Sequence, residues 1–291
     1  MKKRMLCLLL SLLLFGSTLT ACTHTNGLPS QNEEQNGSAD DSSDQENVKE
    51  SEEKEMLSKD KSYSILFIGN SYTYYNDMPY ALFAPMAEAE GYDVSVTAIT
   101  KGAHTLAKFA DPTDEYGKKV EDALSGDEKY DFVILQEQSV RPAGKDKEAF
   151  YAAVRNLAER IRATGAAPVL YATWGRKAGS QTLDTYGWTN ESMTRLLAES
   201  YAAIGEELSI PVLHVGLAFH DVYTSCDEID LYNADLSHPS YEGSYLAAAT
   251  LFGGIFGVRP SEIAYRDALT DETAHLLLSA AEAALADRQT K

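Results

Sequence analysis

Phe67-Ile68-Gly69-Asn70-Ser71 closes an apolar run that begins at Tyr63. The run is short and rich in isoleucine and aromatic residues, as a strand buried on both faces is. Gly69 then turns the chain and presents a serine. A serine hydroxyl is a weak nucleophile until a neighbouring base takes its proton. Far downstream, Asp235-Leu236-Ser237-His238 sets a carboxylate three residues before an imidazole. That spacing lets the carboxylate hold the ring in one tautomer through Nδ1. Nucleophile, orienting group and base therefore occur in the chain order Ser, Asp, His. A serine between the end of a strand and the mouth of a helix also has backbone N–H groups aimed at a developing oxyanion. The lipase-type G-x-S-x-G elbow is absent, because the residues here read Gly69-Asn70-Ser71-Tyr72-Thr73.

Outward from this turn, short apolar runs alternate with helical patterns. Tyr63–Ile68, Asp93–Ile99, Asp131–Leu135, Pro168–Thr173 and Pro211–Val215 read as strands. Pro79–Glu90, Asp146–Thr164, Thr189–Leu208, Tyr241–Phe256 and a final stretch from Asp271 to Asp287 read as helices. In the second of these, Phe150, Val154, Leu157 and Ile161 recur at three- and four-residue spacing, and Gly165 ends the pattern. Strand–helix alternation predicts a parallel sheet covered on both faces. Gly175–Asn190 reads as an insertion leaving the carboxyl end of the fourth strand, where ligands bind in open α/β sheets. Its Tyr186 and Trp188, together with Trp174 before it and Tyr72 beside the serine, are candidates for the wall of a substrate pocket. Of the remaining histidines, His104 reads as a packing or rim residue and His214 as a core residue of the fifth strand. Asp77, before Met78-Pro79, reads as a helix N-cap.

Gly69-Asn70-Ser71 near the start of this region and Asp235-x-x-His238 near its end resemble the SGNH (GDSL-like) hydrolase superfamily. Gly102, in Thr100-Lys101-Gly102-Ala103, is similar to that family's second-block glycine. The fuller strings GNSYTYYNDMP, LQEQS and DLSHPSYEGSYLAA resemble a subgroup of uncharacterised bacterial lipoproteins. The resemblance implies a flavodoxin-like three-layer α/β/α sandwich with a five-stranded parallel sheet. It also implies an esterase with Ser71 as nucleophile, His238 as base and Asp235 as its orienter. The N–H groups of Ser71 and Gly102 would line the oxyanion hole. The family's third donor, an asparagine in a G-x-N-D block after the third strand, has no counterpart in Leu135-Gln136-Glu137-Gln138-Ser139. Either Gln136 or Gln138 carries the same carboxamide. Gln136 is favoured by its place at the strand end, and period-two alternation has the two glutamines pointing the same way.

The first 61 residues are expected to lie outside the folded domain. Lys2, Lys3 and Arg4 precede an apolar run, Leu6 to Phe15, of signal-sequence length. Leu19-Thr20-Ala21-Cys22 resembles the bacterial lipobox, which implies cleavage after residue 21 and a diacylated Cys22. Residues 22–61 are rich in Gln, Asn, Ser, Asp and Glu, a composition that predicts a disordered tether. The domain is expected over 62–291. Loss of the three basic signal residues takes the net charge from −19 to −22. Such acidity excludes nucleic-acid binding as the leading reading. With Cys7 removed and Cys22 lipidated, Cys226 has no disulfide partner. No metal spacing, phosphate-cradling loop or dinucleotide fingerprint occurs, so no cofactor is expected. The sequence thus predicts a lipid-anchored hydrolase on the outer face of a cell membrane, acting on a small-molecule or glycan ester with a short acyl group. Its alternatives are a glycan-binding lipoprotein on the same scaffold, a lipase or thioesterase, and an acyltransferase.

Overall fold

The computed structural model describes residues 56–286. The expected signal peptide, Cys22 and most of the expected tether lie outside the described residues. Five strands form one sheet, each parallel to its neighbours. They are β1 (Ser62–Gly69), β2 (Asp93–Thr100), β3 (Phe132–Leu135), β4 (Ala167–Tyr171) and β5 (Val212–Leu213). Their spatial order is β2-β1-β3-β4-β5. In this order the chain runs outward from β1 to β2 and then crosses back to β3. The crevice beyond the carboxyl ends of β1 and β3 is therefore the topological switch point, where open α/β sheets bind ligands.

The centre of the sheet shows why the opening stretch reads as it does. Ile65, Leu66, Phe67 and Ile68 of β1 are each fully buried. Ile65 and Phe67 pack into one apolar cluster, and Leu66 and Ile68 into another on the opposite face. Period-two alternation with both faces covered gives a continuous hydrophobic run rather than an alternating one. Each such side chain contributes roughly 1.5–3 kcal/mol through burial. On the first face lie α9 (Tyr241–Phe256), α10 (Asp271–Ala286) and α8 (Val215–Ser225). On the second lie α3 (Leu106–Ala110), α4 (Glu115–Ser125), α5 (Lys147–Ala163) and the inner side of α7 (Asn190–Leu208). The result is the three-layer α/β/α sandwich.

Every residue of α9 from Gly243 to Phe256 is buried. A helix that is apolar on all sides belongs in the interior, and its position fixes the loop that enters it.

Several boundaries differ from those read in the sequence. The helix expected over Pro79–Glu90 is a π-turn, Met78–Phe83, followed by α2 (Ala84–Ala89). It is preceded by α1 (Ser71–Tyr74) and a 3-10 turn, Tyr75–Asp77. Asp77 is not a side-chain cap: its backbone is left-handed at φ 51° and its carboxylate makes no capping bond. β5 has only two residues, so His214 lies beyond it, half-buried at the entry to α8. The Gly175–Asn190 insertion contains a helix of its own, α6 (Gln181–Tyr186).

Candidate active site

β1 ends at Gly69, and its ladder to β3 runs to the Ile68–Leu135 pair. A Cβ on Gly69 would stand 2.3 Å from Thr73 Oγ1 and 2.8 Å from Gln136 Oε1. Only glycine lets the chain turn this closely over the end of β3. Asn70 then caps α1, its Oδ1 accepting from the Tyr72 N–H at 3.3 Å. Its own N–H donates to Gln136 Oε1 at 2.8 Å, and its Nδ2 donates to the His104 carbonyl at 3.2 Å. One buried asparagine therefore ties together the turns after β1, β3 and β2. That fixes the Gly102 turn relative to Ser71, the first residue of α1. The N–H groups at a helix start have no intrahelical acceptor. Among the described residues, the N–H groups of Ser71 and Gly102 are engaged by no protein acceptor.

His238 Nε2 lies 2.8 Å from Ser71 Oγ, although 167 residues separate them in the chain. On its other side, His238 Nδ1 is hydrogen-bonded to Asp235 Oδ2. With the proton on Nδ1 facing the carboxylate, Nε2 is left to accept from the serine hydroxyl. Asp235 Oδ1 accepts from the N–H groups of Ser237 at 3.0 Å and His238 at 2.9 Å. Partial burial raises the affinity of this carboxyl for its proton. The bonds from His238 and Ser237 outweigh that and hold it below the usual carboxylate range. Leu236, between them, takes a left-handed backbone at φ 61°. This folds the four residues into a turn closed by the Asn233 N–H donating to the His238 carbonyl at 2.8 Å.

Three side chains hold that turn against Ser71. Trp174 Nε1 donates to the Ser237 carbonyl at 3.1 Å. Tyr72 Oη and Ser237 Oγ are 3.0 Å apart. Asn76 Nδ2 reaches Pro239 O, Ser240 O and Ser244 Oγ at 3.3, 2.9 and 2.8 Å. Tyr75 lies flat on the His238 ring, with centroids 4.2 Å apart and planes 6° from parallel.

These contacts correct part of the sequence reading. Tyr72 and Trp174 do not wall a pocket. Both are buried (2% and 0% exposed), stacked on each other at 4.4 Å, with Phe219 on the far face of the indole. Indole and phenol bury apolar area while their polar tips reach the histidine turn. Tyr186 and Trp188 stack at 4.4 Å, with Tyr186 exposed, while the rings against His238 are those of Tyr72 and Tyr75. The two glutamines do not point the same way. Gln136 is buried, its Oε1 taken by the Asn70 N–H and the Thr73 hydroxyl and its Nε2 by the Glu137 carbonyl. It braces the turn from below, buried at 1% exposure, with one of its two amide N–H groups on the Glu137 carbonyl. Gln138 lies beyond the strand, where alternation has stopped, and its Oε1 accepts from the N–H groups of Val140 and Arg141 at 3.0 and 3.1 Å.

Glu137, between the glutamines, is fully buried. Its carboxylate accepts from the Leu106 N–H at 3.2 Å and the Gln138 N–H at 2.6 Å. Burial raises its pKa to about 7 against those two bonds. His104 is buried, with Nε2 2.9 Å from Asp114 Oδ1. Tyr75 and Asn76 carry no sequence signal beyond their closeness to Ser71, since their partners lie more than 160 residues away. No group of three or more His, Cys, Asp or Glu side chains among the described residues is placed to hold a metal ion. Chemically, the arrangement can activate a hydroxyl as a nucleophile and receive its proton on an oriented imidazole.

A doubly wound parallel sheet with a serine, an imidazole and a carboxylate in line at its switch point defines an α/β hydrolytic class. A solved Slackia heliotrinireducens protein assigned to the SGNH hydrolases is 32% identical to this chain, covering 67% of it and 99% of its own length, at a TM-score of 0.57. This chain belongs to the SGNH hydrolase family. A DUF4886 family protein from Bacteroides uniformis shares the fold at a TM-score of 0.67 and 17% identity, covering 79% of this chain and 97% of its own. No protein-family model matches the sequence, and neither does any curated protein.

Proposed function

We propose that this protein is a serine ester hydrolase. The observation that carries the reading is the unbroken line of hydrogen bonds from Ser71 Oγ through His238 to Asp235. Ser71 attacks the ester carbonyl while its proton passes to His238 Nε2. The tetrahedral oxyanion is received by the N–H groups of Ser71 and Gly102 and by the side-chain amide of Gln138. With its carbonyl oxygen held by two N–H groups, that amide has an oriented NH2 to donate. The intermediate collapses with return of the proton to the departing alcohol, leaving an acyl-serine. Water, deprotonated by the same imidazole, then releases the acid and restores Ser71.

The substrate is a short acyl ester, most plainly one carried on a sugar. The support is an open rim: Ser71 and His238 are only partly covered, and Tyr74 and Tyr75 present stacked rings at 6.0 Å beside the imidazole. Aromatic faces of this kind suit sugar rings. By the lipobox resemblance, the enzyme is exported and anchored through lipid on Cys22, with the tether ending before Leu57, whose N–H donates to the Phe256 carbonyl at 2.9 Å. A Cys22→Ser variant that still partitions with membranes would refute the anchor.

The deciding experiment is labelling with a fluorophosphonate probe. The wild type should label and Ser71→Ala should not. p-Nitrophenyl acetate should be cleaved faster than its long-chain analogue, and the reverse order would identify a lipase. An unlabelled protein that still binds glycans tightly would be a binding module on a hydrolase scaffold.

A further inference from the structure

Arg176 is the next side chain after the buried Trp174-Gly175 pair, on the loop leaving β4. Its backbone is fixed: Asn190 Nδ2 donates to its carbonyl at 3.0 Å, and its N–H points to Met193 Sδ at 3.4 Å. Its guanidinium lies 5.4 Å from the centre of the Tyr72 ring, the residue after Ser71. Nη2 donates to Ser139 Oγ at 2.8 Å, one residue beyond Gln138. Nε is buried with no hydrogen-bond partner.

The charge has no match either. Among the described residues no carboxylate pairs with Arg176, whereas other half-buried cations are paired. Arg141 meets Asp146 at 2.5 Å, Arg160 meets Glu121 at 2.5 Å, and the adjacent Lys177 meets Asp230 at 2.6 Å. The acid of the site, Asp235, is spent on His238 and Ser237. A guanidinium has five donors in a fixed fork shaped for a carboxylate. Half-burying it without a counter-charge is unfavourable, and contact with one aromatic ring offsets only part of that cost.

We infer that Arg176 is a specificity residue that binds a carboxylate on the substrate, so that the preferred ester carries an anionic group near its scissile bond. This rests on the ester-hydrolase reading and narrows it. The carboxylate belongs either to the acyl part or to the alcohol part, and two esters separate these sources.

The test compares kcat/KM for neutral p-nitrophenyl acetate, for the p-nitrophenyl monoester of succinate (acyl-side carboxylate) and for 4-acetoxybenzoate (alcohol-side carboxylate). Each value is divided by the ester's own rate of alkaline hydrolysis. One anionic ester should exceed the neutral one by about tenfold or more, as a charge-assisted bidentate contact provides. In Arg176→Met that ratio should collapse toward one, while Arg176→Lys keeps part of it. Added salt at 0.5 M should shrink it in the wild type. A wild-type ratio at or below one for both anionic esters overturns the inference. So does a ratio unchanged in a folded Arg176→Met protein. If no ester turns over and no probe labels Ser71, the hydrolase reading itself fails. Calorimetry with succinate then decides the anion site: uptake lost in Arg176→Met supports it, and no uptake by the wild type overturns it.

Discussion

The two halves of the candidate active site are built differently. The serine half grows out of the sheet. β1 is paired with β2 from Ser62 to Gly69 and with β3 from Ile65 to Ile68, and the turn after it is cross-braced by Gln136 and Asn70. The histidine half has almost no ladder of its own, only the single bridge between Tyr232 and Pro239. Its geometry is borrowed from Trp174, Tyr72, Asn76 and the Lys177 N–H, which donates to the Leu236 carbonyl at 3.0 Å. The comparison teaches that the position of Ser71 comes with the fold, whereas that of His238 depends on side chains and one backbone N–H reaching in from elsewhere in the chain.

The strongest way to break that contrast is Trp174→Ala. It removes a fully buried indole and the donor to Ser237. Unfolding by denaturant should show a loss of about 3–5 kcal/mol, and the surviving folded fraction should have a depressed kcat. Full activity per folded molecule would show that the histidine turn holds itself.

Next, the two glutamines should part company. Gln138→Ala should lower kcat by about 10²–10³ with little change in melting temperature, as the loss of an oxyanion donor does. Gln136→Ala should chiefly cost stability, about 1–3 kcal/mol, by stranding the Asn70 N–H and the Thr73 hydroxyl. The reverse pattern would exchange their roles.

A third prediction concerns pH. Glu137 is held at about 7 in the fold, against 4.5 for an ordinary glutamate. A carboxyl whose folded pKa is raised favours the native state while protonated. Its contribution is therefore complete below pH 4.5 and is lost as pH rises to about 7, on the order of 3 kcal/mol in all. Thermal melts across this window should show that decline in the wild type and a flatter profile in Glu137→Gln. An equal slope in both would assign the pH dependence elsewhere.

The smallest effect should come from Asn76, whose backbone is left-handed at φ 53°. Asn76→Gly tolerates that conformation and removes only the tie to Pro239, Ser240 and Ser244. A loss of about 1 kcal/mol in transition-state binding, several-fold in kcat/KM, is expected. No change would mean that Tyr75 stacks on His238 without this tie.

Much of this was legible in the residues. The both-faces-buried run ending at Gly69 announces a central parallel strand. Ser71 at the end of that strand follows once a parallel sheet is granted, whereas Asp235 and His238 were legible as a spacing and not as a place beside the serine. Less legible were α3, which has five residues, and α8, whose pattern is mixed, while α4 was passed over although Tyr116, Val120 and Leu124 recur at helical spacing. β5 was overread because Pro211–Val215 is apolar whether strand or helix entry. The error over Trp174 and Tyr72 has a similar cause: an aromatic side chain near a site has the same composition whether it faces solvent or core.

The sequence alone determined that a covered parallel sheet forms and offered the three residue types of the candidate site, because burial periodicity and chain order are local properties of the polymer; the three-layer form came from the family resemblance. Only the tertiary structure decided which glutamine is spent inside the turn, what presses the imidazole into line, and that Arg176 lacks a matching carboxylate among the described residues. Those facts depend on atoms brought together from more than 30 residues apart, and no local pattern encodes which of several chemically equal groups will find a partner.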